Sequence, residues 1–253
     1  MMKGKTIVVT GGGNGIGKAV ARMLLFESAN VIITDKNEDA GHRTFAELHE
    51  EYPGKVDFLP HDISSQESWE QVKSEVLNRY ERVNGLFNNA GVFLIKPLVD
   101  TSVDDFHKIM NVNVLGTFLG MKTFIPHLVE NGGGSIVNNS STAGLVGAKN
   151  VSLYGMSKGA IRTLTKHGAL EYADKQVRIN AVFPGFVDTE MMRHREDREK
   201  NEKVDYQKGV PLGRIGNSEE IARTVLFLLS DQSLYTTGAE FIIDGGRTIS
   251  ASY

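Results

Sequence analysis

A chain of 253 residues with 40% hydrophobic and 23% charged residues has the makeup of a soluble globular protein, and is long enough for one large α/β domain or two small ones. Its formal net charge of −3, with no basic run, gives no footing for nucleic acid, and the absence of cysteine excludes disulfides, thiolate metal sites and a cysteine nucleophile. Met1 to Lys5 lead straight into an apolar strand too short for a signal-peptide core, and no apolar run approaches membrane-spanning length, so the expectation is a cytoplasmic enzyme whose partner is a small molecule and not a membrane.

Thr6 to Thr10 is a short β-rich run that stops at Gly11-Gly12-Gly13-Asn14-Gly15-Ile16-Gly17, after which Ile16, Ala19, Val20, Met23 and Leu24 recur at helical spacing. This is strand, glycine turn, helix. Glycine suits such a turn because the chain must take positive φ and bring backbone N–H groups close to a pyrophosphate at the helix start, although any tight turn also favours it. The spacing Thr10-Gly11-x-x-x-Gly15-x-Gly17 is not G-x-G-x-x-G. It resembles the glycine motif of the short-chain dehydrogenases/reductases, and the resemblance extends from Thr6 to Gly246. It implies a single Rossmann-type domain over residues 1–253, with a doubly wound, mainly parallel seven-stranded sheet and helices on both faces. It also implies Gly11, Asn14, Gly15, Ile16 and Gly17 at the cofactor.

The second strand, Val31 to Thr34, ends at Asp35, about 20 residues past the turn, where a dinucleotide fold places a carboxylate on the adenosine ribose. A carboxylate there accepts from both ribose hydroxyls and repels a 2′-phosphate, which favours NAD over NADP. Lys36, directly after it, offers some attraction to a phosphate. A helix from about Glu38 to Glu51 and a strand from Val56 to Leu59 lead to His61-Asp62. The resemblance puts Asp62 and the N–H of Ile63 against the adenine, while His61 is expected at the surface. Ser64-x-x-Glu67 reads as a capping box for a helix with Trp69, Val72, Val76 and Leu77 on its apolar face.

Strand four, Gly85 to Phe87, is followed by Asn88-Asn89-Ala90-Gly91. By resemblance, Asn89, Ala90 and Gly91 line the adenosine side of the cofactor cleft. Ser102-x-x-Asp105 opens one long helix reaching about Val129, and within it Asn113 aligns with the asparagine that the family uses to hold a backbone kink and a water leading from the active lysine. From spacing alone Asn113 could equally bond its own backbone, and Asn111 stands two residues away. Strand five, Ser135 to Asn139, delivers Ser140-Ser141 to the ligand edge; Ser141 matches the family's active-site serine and Ser140 points to the other face. No Gly-x-Ser-x-Gly elbow supports a nucleophilic serine.

Tyr154 and Lys158 stand four apart at the start of a helix, so phenol and ammonium share one face. Lowering a phenol from about 10 to about 7 takes roughly 4 kcal/mol of phenolate stabilisation, and a nearby lysine is a physical source of it. Spacing alone also fits a core-edge aromatic beside a solvated charge; the family order of Asn113, Ser141, Tyr154 and Lys158 selects the catalytic reading, with Tyr154 and Lys158 at the cofactor too. After strand six, Arg178 to Phe183, the resemblance places Pro184, Gly185, the Val187 backbone and the Thr189 hydroxyl around the nicotinamide carboxamide and pyrophosphate.

Residues 188–210 are expected to form a substrate lid, with charged residues such as Arg195 and Glu196 outward and Met191 and Met192 able to turn inward. Asn217-x-x-Glu220 caps a helix, and Gly238 to Gly246 supply a last strand and a glycine end. The implied function is reversible hydride transfer between NAD and a secondary alcohol or ketone in a homotetramer. The alternatives are a 3-oxoacyl-[acyl-carrier-protein] reductase-like enzyme and a non-catalytic NAD-binding sensor or scaffold. Phe93, Leu94, Leu153 and Phe186 suggest an apolar or mixed substrate pocket.

Overall fold

A computed structural model of the chain describes residues 2–193 and 206–250. Seven strands form one sheet in the order β3-β2-β1-β4-β5-β6-β7, comprising β1 (Thr6–Thr10), β2 (Asn30–Asp35), β3 (Val56–Pro60), β4 (Gly85–Asn88), β5 (Gly134–Asn139), β6 (Val177–Pro184) and β7 (Glu240–Ile243). Every neighbouring pair is parallel. The inner strands are apolar almost throughout, as a sheet covered on both faces requires.

The covering helices are α1 (Gly15–Phe26), α2 (Glu38–Glu51), α3 (Gln66–Arg79), α4 (Val103–Ile109), α5 (Gly116–Glu130), α6 (Ser152–Tyr172) and α7 (Ser218–Leu229). One core packs α1 and α7 on one face around Leu24, Ile33, Phe87 and Val225. The other packs α3, α5 and α6 around Trp69, Leu86, Phe124 and Ile179. Because the winding reverses between β1 and β4, the loops after these strands diverge and leave a crevice at the carboxyl edge of the sheet.

Four sequence expectations change. The α3 cap is Ser65, which accepts from Ser68 N–H, whereas the Ser64 hydroxyl donates to Asp62. His61 is 3% exposed, with Nδ1 2.9 Å from the Thr34 hydroxyl and its ring edge-on to Trp69 at 4.2 Å. The long helix is interrupted, because Met110–Leu115 is a π-helical turn between α4 and α5. The stretch Val103–Glu130 also has the length and composition of a membrane span, contrary to the expectation from the sequence. Over half of its apolar window is buried, as in a core helix. Of the expected lid, residues 194–205, Arg195 and Glu196 among them, lie outside the described residues; Met192 turns inward and Met191 is exposed.

Candidate active site

The glycine turn is built for close approach. Gly11 and Gly15 take positive φ, and a Cβ on Gly17 would stand 2.1 Å from the Gly11 carbonyl. Asn14 precedes α1 without a side-chain cap, and the first turn of α1 has no acidic residue. By contrast, α2, α3, α4 and α7 all carry side-chain caps. The leading N–H groups of α1 are therefore left for an outside acceptor, with the positive end of the helix dipole behind them. Ile16 packs its side chain on the core, so only its backbone belongs to the turn. Thr189 overlies Gly15, where a Cβ would come 3.3 Å from its methyl carbon.

Asp35 sits at the end of β2 with Oδ2 accepting from Gly13 N–H at 3.0 Å and Oδ1 from Asn37 N–H at 2.9 Å. Both oxygens keep a lone pair for further donors. Asp62, at the end of the neighbouring strand, accepts from Ser64 N–H and Oγ and from Lys36 Nζ at 2.6 Å. These bonds hold its carboxyl down at a pKa of about 2, with Lys36 the largest cause. The Ile63 side chain is in the core, and its carbonyl accepts from Trp69 Nε1.

Asn89 does structural work between strand ends. Its Nδ2 donates to the carbonyls of Thr10 and Gly11, and its Oδ1 accepts from Asn139. The N–H groups of Asn89 and Ala90 both donate to the Thr10 hydroxyl. Gly91 lies beside Asn113 and Lys158, where a Cβ would be 3.1 Å from Asn113 Oδ1 and 3.7 Å from Lys158 Nζ. That places the end of this turn at the Lys158 side of the crevice.

Asn113 is buried within the π turn, and the extra residue of that turn lets its amide meet the backbone of Val92 twice: Val92 N–H donates to Oδ1 at 2.8 Å and Nδ2 donates to Val92 O at 3.0 Å. Nδ2 also reaches the Ser157 hydroxyl at 3.0 Å, which in turn donates to Tyr154 O at 2.7 Å. A chain of bonds thus runs from the loop after β4 through the helix break to α6. Asn111 shares none of these contacts.

Lys158 is 4% exposed, and its Nζ donates to the Asn139 carbonyl at 2.7 Å. Burial pushes the ammonium down to a pKa of about 8. The same Nζ lies 5.6 Å from the centre of the Tyr154 ring, one helical turn earlier. Phe93 packs edge-on against that ring at 4.6 Å. Ser140 is buried, with Oγ donating to the Lys158 carbonyl, which anchors α6 to β5. Ser141 opens a short 3₁₀ turn and its Oγ accepts from Ala143 N–H at 3.2 Å. Since that bond uses an acceptor site, the hydroxyl hydrogen is left for another oxygen.

Pro184 ends β6, and Gly185 passes so close to Asp244 that a Cβ would stand 2.8 Å from its Cα. Val187 forms a parallel bridge with Gly216 through Phe186 O and Asp188 N, which leaves the Val187 amide outside that bridge. Phe186 meets Tyr206 edge-on and carries the Arg247 guanidinium over its face at 4.4 Å. Tyr206 and Arg247 were not legible from the sequence, because nothing in spacing brings positions so distant together. Residues 143–148 line a cleft of ≈ 300 Å³ whose other wall includes Val151, Gly155 and Met156, so it flanks α6 without taking in Tyr154.

Comparison with known proteins agrees with this geometry. Residues 11–248 match the family model described as Enoyl-(Acyl carrier protein) reductase. The cyclopentanol dehydrogenase of Comamonas sp. (strain NCIMB 9872) is 36% identical over 244 residues, covering 96% of this chain and 97% of that protein. The NADP-dependent (R)-specific alcohol dehydrogenase of Lentilactobacillus kefiri is 36% identical over 253 residues, covering 98% of each. The crystal structure of levodione reductase superposes with a TM-score of 0.94 at 31% identity, over 100% of both chains. The chain belongs to the short-chain dehydrogenase/reductase family of oxidoreductases.

Proposed function

We propose that this protein is a single-domain, NAD-dependent dehydrogenase that interconverts an apolar, preferably cyclic, secondary alcohol and its ketone. The observation that carries the reaction type is the buried Lys158 ammonium one turn from the Tyr154 phenol. At a separation like the 5.6 Å to the ring centre, an ammonium stabilises a phenolate by about 3 kcal/mol at an effective dielectric of ~20. That supplies most of the roughly 4 kcal/mol needed to bring a phenol into the neutral range.

The uncapped start of α1, the glycines that no Cβ could replace, and Asp35 fit a dinucleotide: pyrophosphate at Gly11, Asn14, Gly15, Ile16, Gly17 and Thr189, adenosine at Asp35, Asp62, Ile63, Asn89 and Ala90, and nicotinamide near Gly91, Tyr154, Lys158, Pro184, Gly185 and Val187. When bound there, the nicotinamide supplies the hydride donor or acceptor. The Tyr154 hydroxyl takes the alcohol proton in oxidation and returns it in reduction. Ser141, its acceptor site engaged by Ala143 N–H, donates its hydrogen to the substrate oxygen and fixes it in place. Asn113 holds α6 and the Val92 backbone in register and supports the passage of a proton from Lys158 toward solvent.

Preference for NAD rests on the Asp35 carboxylate, whose charge opposes a 2′-phosphate. An apolar substrate is supported by Phe93 on the Tyr154 ring, by buried Leu153 and Met192, and by the cyclopentanol-oxidising relative. The test is initial-rate reduction of NAD and of NADP with cyclic and open-chain secondary alcohols and, in the reverse direction, a 3-oxoacyl thioester. Turnover of cyclic alcohols with NAD, and an Asp35→Ala variant with weaker NAD and improved NADP use, are expected. An unchanged cofactor ratio in that variant contradicts the role of Asp35, and turnover confined to the thioester contradicts the substrate class.

A further inference from the structure

Parallel pairing sets the ends of β2 and β3 side by side, with Asp35 opposite Pro60, so that Lys36 and Asp62 leave adjacent strands at the same edge. Lys36 is the cation closest in sequence to Asp35, and a cation at this edge is what a 2′-phosphate requires. In the structure its Nζ is turned onto Asp62 Oδ2 at 2.6 Å, although the lysine side chain is 76% exposed. Asp62 is itself fixed, because its other oxygen accepts from both Ser64 N–H at 3.0 Å and Ser64 Oγ at 2.6 Å.

We infer that Asp62 is a selectivity residue acting through Lys36: it holds the lysine as a latch away from the ribose edge, so that rejection of a 2′-phosphate depends on this ion pair as well as on Asp35. The inference rests on the NAD-dependent reading above and deepens it. Two anions and one cation share this edge, and the pairing decides where the cation is spent. With the pair closed, Asp35 repels a 2′-phosphate and Lys36 is neutralised. With Asp62 uncharged, Lys36 swings free on its four-carbon stem and becomes a phosphate partner. Exposed ion pairs are worth little, so the effect is about 2- to 5-fold in relative affinity and shrinks as ionic strength rises.

The test is a double-mutant cycle read by calorimetric titration with NAD⁺, NADP⁺ and adenosine 2′,5′-bisphosphate, without substrate. Asp62→Asn is expected to lower the NADP⁺/NAD⁺ ratio of dissociation constants about 2- to 5-fold and to tighten the bisphosphate. In a Lys36→Ala background the same substitution is expected to leave the ratio nearly unchanged. Asp62→Ser replaces Asp62→Asn if the latter does not fold. An equal shift in both backgrounds, or none in either, overturns the latch while leaving NAD binding intact. A wild-type chain that binds neither dinucleotide overturns the cofactor reading and the latch together.

Discussion

His61, just past the end of β3, is buried with its ring edge-on to Trp69. A polar residue at a strand's carboxyl end reads as surface, yet the imidazole is enclosed by Thr34 and Trp69, and its Nε2 has no hydrogen-bond partner among the described residues. Desolvation lowers its pKa to about 4 from 6.5. The unfolded chain therefore binds more protons between these values, and folding stability falls as pH drops from 6.5 toward 4, by up to roughly 3 kcal/mol. Asp62, with its pKa depressed to about 2, loses its stabilising contribution as pH falls through the ordinary carboxylate value and so touches only the low end of this window, while His127, also lowered by burial, acts in the same direction as His61. Urea melts across pH 4–6.5 should lose much of their slope in His61→Gln; an unchanged slope would assign the loss elsewhere. Asp35 stands at a strand end and Tyr154 and Lys158 one helical turn apart, positions that local pattern marks, whereas the roles expected of them come from the family order and not from spacing alone.

Among elements, the strands, the glycine turn and the capping boxes at Ser102 and Asn217 follow directly from local pattern. The π turn does not, because its cause is tertiary: the Asn113 amide reaches the Val92 backbone, and Gly116 accommodates Ile63, where a Cβ would come 2.7 Å from its Cδ1. A second hidden device joins β6 to α7. Arg178, 9% exposed, sends Nη2 to the carbonyls of Leu228 and Ser230 and Nη1 to the Ser233 hydroxyl, so one strand residue caps the carboxyl end of a helix. Arg178 is a charged residue inside an apolar strand, and its acceptors lie about fifty residues downstream, where local pattern does not reach. Arg178→Met should cost about 2–4 kcal/mol by denaturant unfolding, because it strips charge-assisted bonds from buried groups. A cost under ~1 kcal/mol would mean that Ser135 and Ser233, which also donate to Leu228 O, suffice without it.

Across the whole molecule, sheet order and helix placement turn motifs scattered over the chain into one crevice. The order could be anticipated only through the family resemblance; alternating strands and helices alone predict a parallel sheet but not which strands are neighbours. The surface bears apolar side chains that a monomer leaves exposed, including Val103, Phe106 and Phe118 along α4 and α5, Leu170 on α6, and Leu234, Tyr235 and Ile242 around β7. We propose that such side chains are covered between copies of the chain, in the homotetramer that the family resemblance implies. Light scattering should therefore give about four times the 27.8 kDa chain mass, and a monomer at micromolar concentration would contradict that assembly.

In the proposed reaction Tyr154 moves the proton while Lys158 and the strand-end groups set its environment. The most direct measurement is Tyr154→Phe, with turnover on the preferred alcohol and NAD⁺ affinity determined on the same preparation. Turnover is expected to fall by at least about 10³-fold with NAD⁺ affinity within a few fold of wild type, because the ring and its packing on Phe93 remain while the transferable proton is gone. Turnover retained within about tenfold would contradict it and assign the proton transfer to another group.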